Sequence, residues 1–461
     1  MKKILFYRKE LNMLKILFLF FAFFLTIQPN AQTSSWYVLP GAPNLDTLSP
    51  KRFDDIYFIN SQTGWIIKGD RYYVNNDTGS VYRTTNGGNN WVVVNNQIRN
   101  YLRCTGFFNE NIGIIGAIGD TLHTLYRTTD GGFTWADIMP SIQGTAPGGI
   151  CGISIVNSNI AYACGRYYCP ANVIKTTNAG LNWISLPVDT SLVRLLVDCH
   201  FWSADSGFVV GGYSTNNTNS LSRSVILFTS NGGANWVRVY QSSRINEWCW
   251  KIQFVNRQLG FTSIERYTYP TFILKTTNGG MNWLEISLPN NITNLEAIGF
   301  VNEQTGWVGG WGQSYNEPNY ETTNGGISWH LAGWGKNMNR IRFLSDTLAF
   351  AVGTTVYKFT SEPIGIQQIS AGIPSQYELF QNYPNPFNPV TQISFDLAED
   401  GFISLKVYNV LGAEVTTLIN KNIKAGSYST VFEAALFSSG VYFYQLNAGG
   451  KSFTKKMVII K

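Results

Sequence analysis

Charged residues and histidine are both scarce in this sequence. Asp, Glu, Lys and Arg make up 13% of its 461 residues, and histidine occurs only at His123, His200 and His330. These three lie far apart and lack the spacing of zinc ligands, so we expect no metal site. A nucleophile elbow and a phosphate-binding glycine loop are also missing, and we therefore predict no cofactor.

The positive charge of the chain lies mostly outside its central part. Residues 1–31 hold five Lys or Arg and one Glu, and residues 377–461 hold seven Lys and six acidic residues, so the formal charge of +6 leaves about +1 for the residues between them. Nucleic-acid binding needs clustered basic side chains, and we predict no nucleic-acid partner. Low charge with 15% aromatic residues is typical of an extracytoplasmic all-β protein.

Long apolar runs are absent apart from residues 16–27, which are too few to cross a bilayer as a helix. This run follows basic residues and precedes Pro29-Asn30-Ala31. The arrangement predicts a signal peptide over residues 1–31, cleaved after Ala31, with Met13 as an alternative start. The mature chain is then expected to have no transmembrane segment.

The six cysteines form an even number, which suits an oxidising compartment. Cys164 and Cys169 flank a short segment and are predicted to form a disulfide. The other four precede the inner strands of consecutive repeats, and both paired and free buried thiols remain open for Cys104, Cys151, Cys199 and Cys249.

A ten-residue phrase recurs six times, with 44 to 53 residues between successive tryptophans. β-Branched or aromatic residues flank a glycine-containing turn in each copy, which predicts two strands joined by a tight turn. A period of this length is typical of blade or solenoid arrays. The Asx and Trp positions, predicted to be structural, are Asn86 and Trp91, Asp130 and Trp135, Asn178 and Trp183, Asn231 and Trp236, Asn278 and Trp283, and Asn324 and Trp329.

A second phrase, an apolar strand containing a turn, recurs seven times, near Tyr57, Phe107, Ser154, His200, Gln253, Gly299 and Arg342. The seventh unit has no Gly-Gly turn and no Trp, whereas SSWYVLPG around Trp36 resembles the last strand of the third copy. We therefore predict an all-β fold, with a seven-bladed β-propeller over residues 32–361 whose N-terminal strand completes the last blade. The alternative, six blades and an additional hairpin, leaves Trp36 unexplained.

The C-terminal part has a different pattern. Residues 362–376 are polar and without repeat, which is typical of a linker. The three prolines of Tyr383–Pro389 exclude a helix or central strand there. Apolar alternation then returns between Gly and Asn turns, so residues 377–461 are predicted to form a small immunoglobulin-like β-sandwich.

The turn phrase resembles the Asp-box, or BNR repeat, which Thr128, Asp130, Gly132, Thr134 and Trp135 match fully. The other five copies carry Asn at the Asp position, which keeps the hydrogen-bond acceptor without the charge. Metal binding or acid catalysis by these turns is therefore not expected. Together with the Thr-Gly-Trp strands at 63–65 and 305–307, the region from residue 36 to 361 is similar to photosystem II assembly and stability factor-like propellers. This resemblance implies the fold.

Residues 377–461 resemble the type A C-terminal sorting domain of the type IX secretion system. The matching positions are Tyr383–Pro389, Val407–Asn409, Leu411-Gly412, Gly426, Ser439–Tyr442 and Lys455–Val458. The resemblance implies export from the periplasm of a Gram-negative cell through an outer-membrane translocon, with a sortase as second partner. We expect a protein that is secreted or attached to the outer-membrane surface, and leave open which of the two.

Three carboxylates, Asp55, Asp198 and Glu296, fall near equivalent starts of inner strands. A glycosidase needs two carboxylates at fixed separation, but burial at repeat positions explains these three more simply. A sialidase-like site is disfavoured because no Arg-Ile-Pro segment precedes the first blade. We predict no catalytic residue, and keep a carbohydrate-active hydrolase, sialidase-like or glycosidase, as the alternative.

Segments that differ between blades are the candidate recognition surface. The connections entering each inner strand and the mid-blade loops open on one face, here called the loop face, opposite the tight turns, here called the turn face. They are rich in residue types favoured at interfaces. We predict a non-enzymatic binding or scaffold propeller that uses this face for a protein or a glycan, with binding residues Tyr72, Tyr73, Arg99, Tyr101, Arg103, Tyr167, Tyr168, Arg244, Trp248, Trp334 and Arg340.

Overall fold

A computed structural model describes most of the chain. It covers residues 34–39, 41–45, 52–69, 78–165, 171–214, 221–289, 294–311, 317–361, 366–370, 372–388, 390–434 and 437–460. These residues form strands β1 to β37 and one short 3-10 turn, Met139–Ser141. No helix in these ranges is long and apolar enough to span a membrane. The predicted all-β class is confirmed.

Seven consecutive sheets occupy the described part of residues 34–361. Strand β1 (Ser35–Val38) precedes blade 1, which holds β2 (Asp55–Phe58), β3 (Gly64–Lys68), β4 (Gly79–Thr84) and β5 (Val92–Ile98). Blades 2 and 3 hold β6 (Leu102–Phe107), β7 (Gly113–Ala117), β8 (Leu125–Thr128), β9 (Ala136–Asp137), β10 (Ile142–Gln143), β11 (Gly152–Ile155), β12 (Ala161–Gly165), β13 (Asn172–Thr176) and β14 (Trp183–Pro187).

The remaining blades repeat this order. Blades 4 and 5 hold β15 (Leu195–Phe201), β16 (Gly207–Tyr213), β17 (Arg223–Thr229), β18 (Val237–Gln241), β19 (Glu247–Phe254), β20 (Gly260–Arg266), β21 (Phe272–Thr276) and β22 (Leu284–Ser287). Blades 6 and 7 hold β23 (Leu295–Phe300), β24 (Gly306–Gly310), β25 (Pro318–Thr322), β26 (His330–Lys336), β27 (Arg340–Ser345), β28 (Leu348–Val352) and β29 (Val356–Thr360).

The N-terminal strand closes the ring as the sequence predicts. Strand β1 pairs antiparallel with β29, placing Trp36 opposite Phe359, and so supplies the outer strand of blade 7. The Trp36 ring stacks on Trp334 of blade 6, with ring centroids 4.2 Å apart. Closure covers a sheet edge that would otherwise expose unpaired backbone groups.

Neighbouring blades are joined by contacts between their inner strands and by stacked aromatic rings. The inner strands β2, β6, β11, β15, β19, β23 and β27 touch in this order, and β27 touches β2. Trp65 of blade 1 stacks on Phe107 of blade 2 at 3.5 Å, and Phe350 of blade 7 stacks on Phe58 of blade 1 at 3.6 Å. The same kind of stacking contact therefore joins neighbouring blades within the array and joins blade 7 to blade 1 where the ring closes.

A glycine at the start of the second strand of a blade makes room for these aromatic rings. At Gly306, a Cβ atom would lie 2.3 Å from the ring of Phe300 on the inner strand of the same blade. The recurring Gly of the second phrase is therefore explained by packing rather than by backbone conformation.

Each tight turn is held by the same three hydrogen bonds. In the first copy, the Thr84 hydroxyl donates to Asn86 Oδ1 over 3.0 Å, the Gly88 amide donates to Thr84 Oγ1, and the Asn90 amide donates to Asn86 Oδ1. Gly87 and Gly88 have φ angles of 68° and 88°, which glycine adopts without strain. The pattern recurs at Thr128, Thr176, Thr229, Thr276 and Thr322. These bonds need a side-chain oxygen at the Asx position, which Asn and Asp both supply.

Two further four-stranded sheets form a β-sandwich after the propeller. Its strands are β30 (Ile366–Ser370), β31 (Glu378–Leu379), β32 (Val390–Leu397), β33 (Gly401–Asn409), β34 (Glu414–Ile423), β35 (Gly426–Glu433), β36 (Gly440–Ala448) and β37 (Lys451–Ile459). Between β31 and β32, Phe387 enters the core whereas Tyr383 is 82% exposed.

The segment predicted as a linker, residues 362–376, contains the first strand of this sandwich. Ile366–Ser370 pairs antiparallel with β35, and Ile366 packs against the hydrophobic core of the sandwich. The linker prediction is corrected for these residues, because a polar segment with few apolar side chains can still complete a sheet through its backbone hydrogen bonds.

Candidate functional site

Most of the predicted binding residues that the structure describes are engaged in internal contacts. Tyr72, Tyr73, Tyr167 and Tyr168 lie outside the described residues. Arg99 is exposed. Trp334 packs between blades against Trp36 and Tyr357. The other five fall into three clusters, two on the loop face and one inside the central channel.

The first cluster fills the loop-face end of the channel. Arg103 donates to Asp54 Oδ1 over 2.6 Å, and the Tyr101 hydroxyl donates to the same oxygen over 3.2 Å. The guanidinium of Arg103 also lies 5.0 Å from the ring centre of Trp250, a cation–π contact from blade 2 to blade 5. Burial and the Asp54 charge raise the pKa of Tyr101 to about 12. These contacts join blades 1, 2 and 5 at this end of the channel, although Arg103 Nε has no hydrogen-bond partner among the described residues.

Two further carboxyl groups extend this cluster. Glu296 forms a buried ion pair with Arg52. Glu265 accepts hydrogen bonds from Trp248 Nε1 and from the Tyr267 hydroxyl, each over 2.8 Å. Burial, with a smaller contribution from the Glu296 charge, raises the pKa of Glu265 to about 8. Glu265 is therefore protonated at neutral pH, whereas the neighbouring Glu296 is ion-paired with Arg52. We call Arg52, Asp54, Arg103, Trp250, Glu265 and Glu296 the channel plug.

The second cluster holds the loops of blade 5 in place. Arg244 donates to Glu247 Oε2 over 2.9 Å and to Glu285 Oε2 over 2.7 Å. Arg266 donates to Glu247 Oε2 over 2.6 Å. The predicted residue Arg244 thus belongs to an ion-pair network that links three strands, β19, β20 and β22, with the loop before β19. Such networks fix the conformation of the loops they join.

Exposed apolar side chains lie beside this network. Tyr267 and Tyr269 are 52% and 53% exposed, and Ile245 is 44% exposed. They occupy the loop after β20 and the connection before β19, both of which end at the loop face. We call Ile245, Tyr267 and Tyr269 the blade 5 patch. It combines exposed aromatic rings with a rigid support, as recognition surfaces do.

The third cluster lies inside the channel, where Arg340 joins three blades. Arg340 Nη1 and Nη2 donate to the two carboxylate oxygens of Asp198 in blade 4, over 2.8 and 3.1 Å. Arg340 Nε donates to Asp55 Oδ1 of blade 1 over 3.0 Å. The predicted residue Arg340 is therefore buried in the channel rather than displayed on the loop face. Fork-shaped pairing of this kind fixes the relative position of the carboxylates.

Asp55 and Asp198 are consequently ionised and fully engaged. Burial by itself raises the pKa of Asp55, but the guanidinium groups of Arg342 and Arg340 more than reverse this and hold it at about 2. The pKa of Asp198 is lowered in the same way, with Arg340 as the main opposing charge. Backbone amides of Thr105 and Ile252 donate to these carboxylates as well. Neither group has the properties of a general acid.

Below Arg340 the channel widens into a cavity of about 480 Å³. Its lining includes ends of the inner strands, such as Val255, Val301 and Ser345, so the cavity opens toward the turn face. Its walls combine the aromatic residues Tyr57, Phe254, Phe300 and Phe343 with Lys251, Arg342, His200 and Gln253.

Three nitrogen atoms in this wall are buried without a hydrogen-bond partner among the described residues. They are Lys251 Nζ, Arg342 Nε and His200 Nε2. Lys251 as a whole is 1% exposed. Burial and the nearby Arg340 lower the pKa of Lys251 to about 8, and burial lowers that of His200 to about 4. At neutral pH the lysine is thus mostly protonated without a hydrogen-bond acceptor among the described residues, while the histidine is neutral.

Sequence reasoning missed Lys251, Arg342 and His200 because it searched the loops. The second phrase did contain a signal. The position directly before its aromatic residue varies between blades, and it holds His200, Gln253 and Arg342 in three of them. Lys251 and Arg340 stand two positions earlier than Gln253 and Arg342, so alternation puts each pair on one side of its strand.

The cysteines give no metal or disulfide site in the described part of the chain. Cys104, Cys151, Cys164, Cys199 and Cys249 are buried, and no two of them form a disulfide with each other. Cys169 lies outside the described residues, so its predicted pairing with Cys164 stays a prediction. The described residues contain no group of three His, Cys, Asp or Glu side chains arranged to hold a metal.

The C-terminal part matches a known family. Residues 381–460 match the family model of the secretion system C-terminal sorting domain. The fold and this match define the class, a β-propeller protein with a secretion sorting domain, and the protein is secreted or attached to the outer-membrane surface. Comparison of the sequence with curated proteins gives no match.

Several solved structures align with this chain at low sequence identity and with TM-scores below 0.5. YCF48 bound to D1 peptide has a TM-score of 0.49 and 14% identity, covering 73% of this chain and 100% of that chain. A puromycin-hydrolyzing peptidase of Mycobacterium tuberculosis has a TM-score of 0.45 and 9% identity, over 78% of this chain and 61% of the peptidase. Sqt1 of Saccharomyces cerevisiae has a TM-score of 0.41 and 10% identity, over 85% and 98%. Function must be argued from the residues of this chain.

Proposed function

We propose that the propeller is a non-enzymatic binding module that acts outside the cell. The observation that carries this proposal is the state of the buried carboxylates. Asp55 and Asp198 are ionised and share Arg340, and Glu296 is paired with Arg52. A glycosidase needs one carboxyl that donates a proton and another that is free to attack or to activate water. These three carboxylates serve the architecture of the ring.

The blade 5 patch is the part of the loop face best suited to contact a protein or glycan. Two tyrosines supply amphipathic area with few rotatable bonds. Arg244, Arg266 and Glu247 hold the loops that carry them. Little conformational freedom is then lost on binding, which favours affinity.

Binding is tested with the full secreted chain on a glycan array and in pull-downs from washed outer-membrane fractions. Replacing Tyr267 and Tyr269 together by Ala removes the aromatic surface and should weaken binding at least tenfold. Tyr37→Ala, a change of the same kind on the outer strand of blade 7, serves as the matched control. Equal binding by the double variant and the control would exclude the blade 5 patch as the recognition site.

A carbohydrate-active hydrolase is the second candidate, and the Glu265–Glu296 pair is the observation that favours it. A carboxyl that is kept protonated at neutral pH beside a second carboxyl has the properties of a general acid. Against this role, both oxygens of Glu265 are occupied by Trp248 and Tyr267, and Glu296 is bound to Arg52. Neither residue lines the cavity described above.

The hydrolase is tested by incubating the full chain with oligosaccharide libraries. Glu265→Gln keeps the shape and hydrogen bonding of a protonated carboxyl but cannot transfer a proton. Turnover by the wild type that is lost in Glu265→Gln would establish the hydrolase and overturn the binding module. Alanine at Asp55 or Asp198 is unsuitable for this test, because it leaves Arg340 buried beside a missing partner.

Export supports an extracellular role for either candidate. The sorting domain implies interaction with the type IX secretion machinery, and we propose that a sortase then removes it. Deleting residues 377–461 should leave the propeller in the periplasm, as measured by fractionation and surface proteolysis. Surface delivery of the truncated chain at the wild-type level would refute this route.

A further inference from the structure

The channel cavity contains a positive charge that its surroundings do not neutralise. Asp55 and Asp198 balance Arg340 and Arg342, with which they are hydrogen bonded. Lys251 is left over, and His200 is neutral near pH 7. Asp346 lies at the solvent-exposed rim of the cavity, where water screens its charge. The buried part of the site therefore carries a net charge of about +1 at neutral pH.

An isolated buried ammonium is unfavourable unless something receives its hydrogen bonds. Lys251, Arg342 and His200 line the cavity from blades 5, 7 and 4, and their Nζ, Nε and Nε2 atoms have no hydrogen-bond partner among the described residues. Since Arg340 is fully occupied by two carboxylates, these three nitrogens are the donors still available. The residues that carry them line a cavity that is large enough for an organic ligand.

The rest of the wall favours an organic body over an inorganic ion. Tyr57, Phe254, Phe300 and Phe343 line the cavity, and aromatic faces bind apolar groups and the C–H faces of sugars. Gln253 is fixed by hydrogen bonds to the backbone of Phe300, over 2.8 and 2.7 Å. Lys251, at 1% exposure, is the most deeply buried of the polar lining residues, and Arg342, with a side chain 24% exposed, lies nearer to solvent.

We propose that this cavity is a second binding site, distinct from the blade 5 patch, and that it takes a small organic monocarboxylate whose carboxylate reaches Lys251. One unneutralised positive charge matches one carboxylate. A phosphate group brings about two negative charges and meets Asp55 and Asp198 close by, which disfavours it. The body of the ligand is a sugar ring or an aromatic ring, and the experiment distinguishes these two sources.

The test uses isothermal titration calorimetry on the full secreted chain at pH 7. The probes are D-galacturonate, benzoate, inorganic phosphate and neutral D-galactose. At least one carboxylate should bind more tightly than phosphate, and galactose should bind more weakly than galacturonate. Lys251→Met should weaken the better carboxylate about ten- to a hundredfold, the loss expected for one charge-assisted hydrogen bond.

Lys275→Met is the matched control, since it makes the same change in the same blade at the pair with Glu303, outside the cavity. It should leave the affinity within twofold of wild type. Arg342→Gln, which removes a second donor, should weaken binding by a smaller factor. Wild-type affinity in Lys251→Met, tighter binding of phosphate, or no heat with either carboxylate at millimolar concentration would each overturn the proposal.

A pH series adds an independent readout. The groups that face Lys251 are Arg340, Asp198, Asp55, Arg103 and Cys104, with Arg342 and His200 on the adjoining wall. None of these changes charge between pH 7 and 9, and both carboxylates stay ionised. Affinity should therefore be constant up to about pH 8 and fall above it as Lys251 loses its proton. In Lys251→Met the profile should be flat.

Failure at this site is distinguishable from failure of the proposed loop-face function. Tyr267→Ala with Tyr269→Ala should leave carboxylate affinity unchanged, and Lys251→Met should leave binding at the blade 5 patch unchanged. A carboxylate affinity that falls equally in both variants would contradict two separate sites.

Discussion

The two ends of the central channel are built from the same seven inner strands, yet they differ in how far opposite charges are paired. At the loop face the channel plug pairs Arg103 with Asp54 and Arg52 with Glu296, and Glu265 is kept protonated. Toward the turn face the charge of Lys251 is left over, because Asp55 and Asp198 are paired with Arg340 and Arg342. Donor atoms without a hydrogen-bond partner occur at both ends, at Arg103 Nε in the plug and at Lys251, Arg342 and His200 in the cavity wall. Positive and negative side chains are paired in the channel plug, whereas one positive charge is unbalanced beside the cavity. The difference separates groups that hold the structure from groups able to bind a ligand.

Replacing Arg340, which lies between the two ends of the channel, should have the largest effect on stability. Arg340→Met removes the side chain that joins blades 1, 4 and 7 and leaves Asp55 and Asp198 buried with fewer partners. We expect a loss of about 3–5 kcal/mol of unfolding free energy at pH 7. Urea denaturation followed by tryptophan fluorescence measures it. Arg342→Met, at a more exposed position, should cost clearly less, and an equal loss would show that the three-blade bridge has no special role.

Glu265→Gln tests the protonation of Glu265 in the channel plug. With a folded-state pKa of about 8 against an ordinary value near 4.5, Glu265 holds a proton in the folded protein that the unfolded chain has released between these pH values. The wild type therefore loses stability as pH rises from about 4.5 to 8, at up to about 1.4 kcal/mol per pH unit from this group.

The Gln variant lacks this dependence. It should be more stable than wild type by about 1–3 kcal/mol at pH 8 and equal to it near pH 4.5. Urea midpoints across this pH range measure the difference. A constant difference at all pH values would show that Glu265 does not carry the extra proton.

Lys251→Met tests the unbalanced charge beside the cavity and should stabilise the protein modestly. The folded pKa of about 8 is below the ordinary value of 10.5, so burial of the charged lysine is unfavourable at and below pH 8. The variant should gain about 1 kcal/mol at pH 7, and the gain should vanish above about pH 10.5, where both states are neutral. Thermal melting at pH 7 and pH 10.5 tests this. Destabilisation at pH 7 would show that Lys251 has a partner that supports the fold.

The turns around the open end should be the least sensitive to charge. Asn86 Oδ1 accepts two hydrogen bonds, and Asp130 accepts the same two in the next blade. Asn86→Asp should therefore change stability by less than about 0.5 kcal/mol, whereas Asn86→Ala should cost about 1 kcal/mol. Thermal melting of both variants measures the contrast. A large effect of Asn86→Asp would restore a charge-dependent role for these turns.

Much of the architecture was predictable because it is repeated or local. The six turn phrases specify hairpins through Thr, Asx and Gly at fixed spacing, and the missing outer strand of blade 7 pointed to Trp36, which pairs opposite Phe359. The sorting domain was predictable from a dense set of local motifs. The strand Ile366–Ser370 was not, because its pairing with β35 depends on backbone hydrogen bonds that leave little trace in composition.

The candidate sites depend on residues that only the closed ring brings together. Arg340 lies 142 residues from Asp198 and 285 from Asp55, and no local pattern relates their charges. The repeat, the strands and the route out of the cell could be predicted, because they follow from short-range periodicity and recognisable motifs. That Asp55 and Asp198 neutralise Arg340 and Arg342 and that the charge of Lys251 is left over follows only from the folded ring, because burial and charge balance in the channel arise only when seven blades meet.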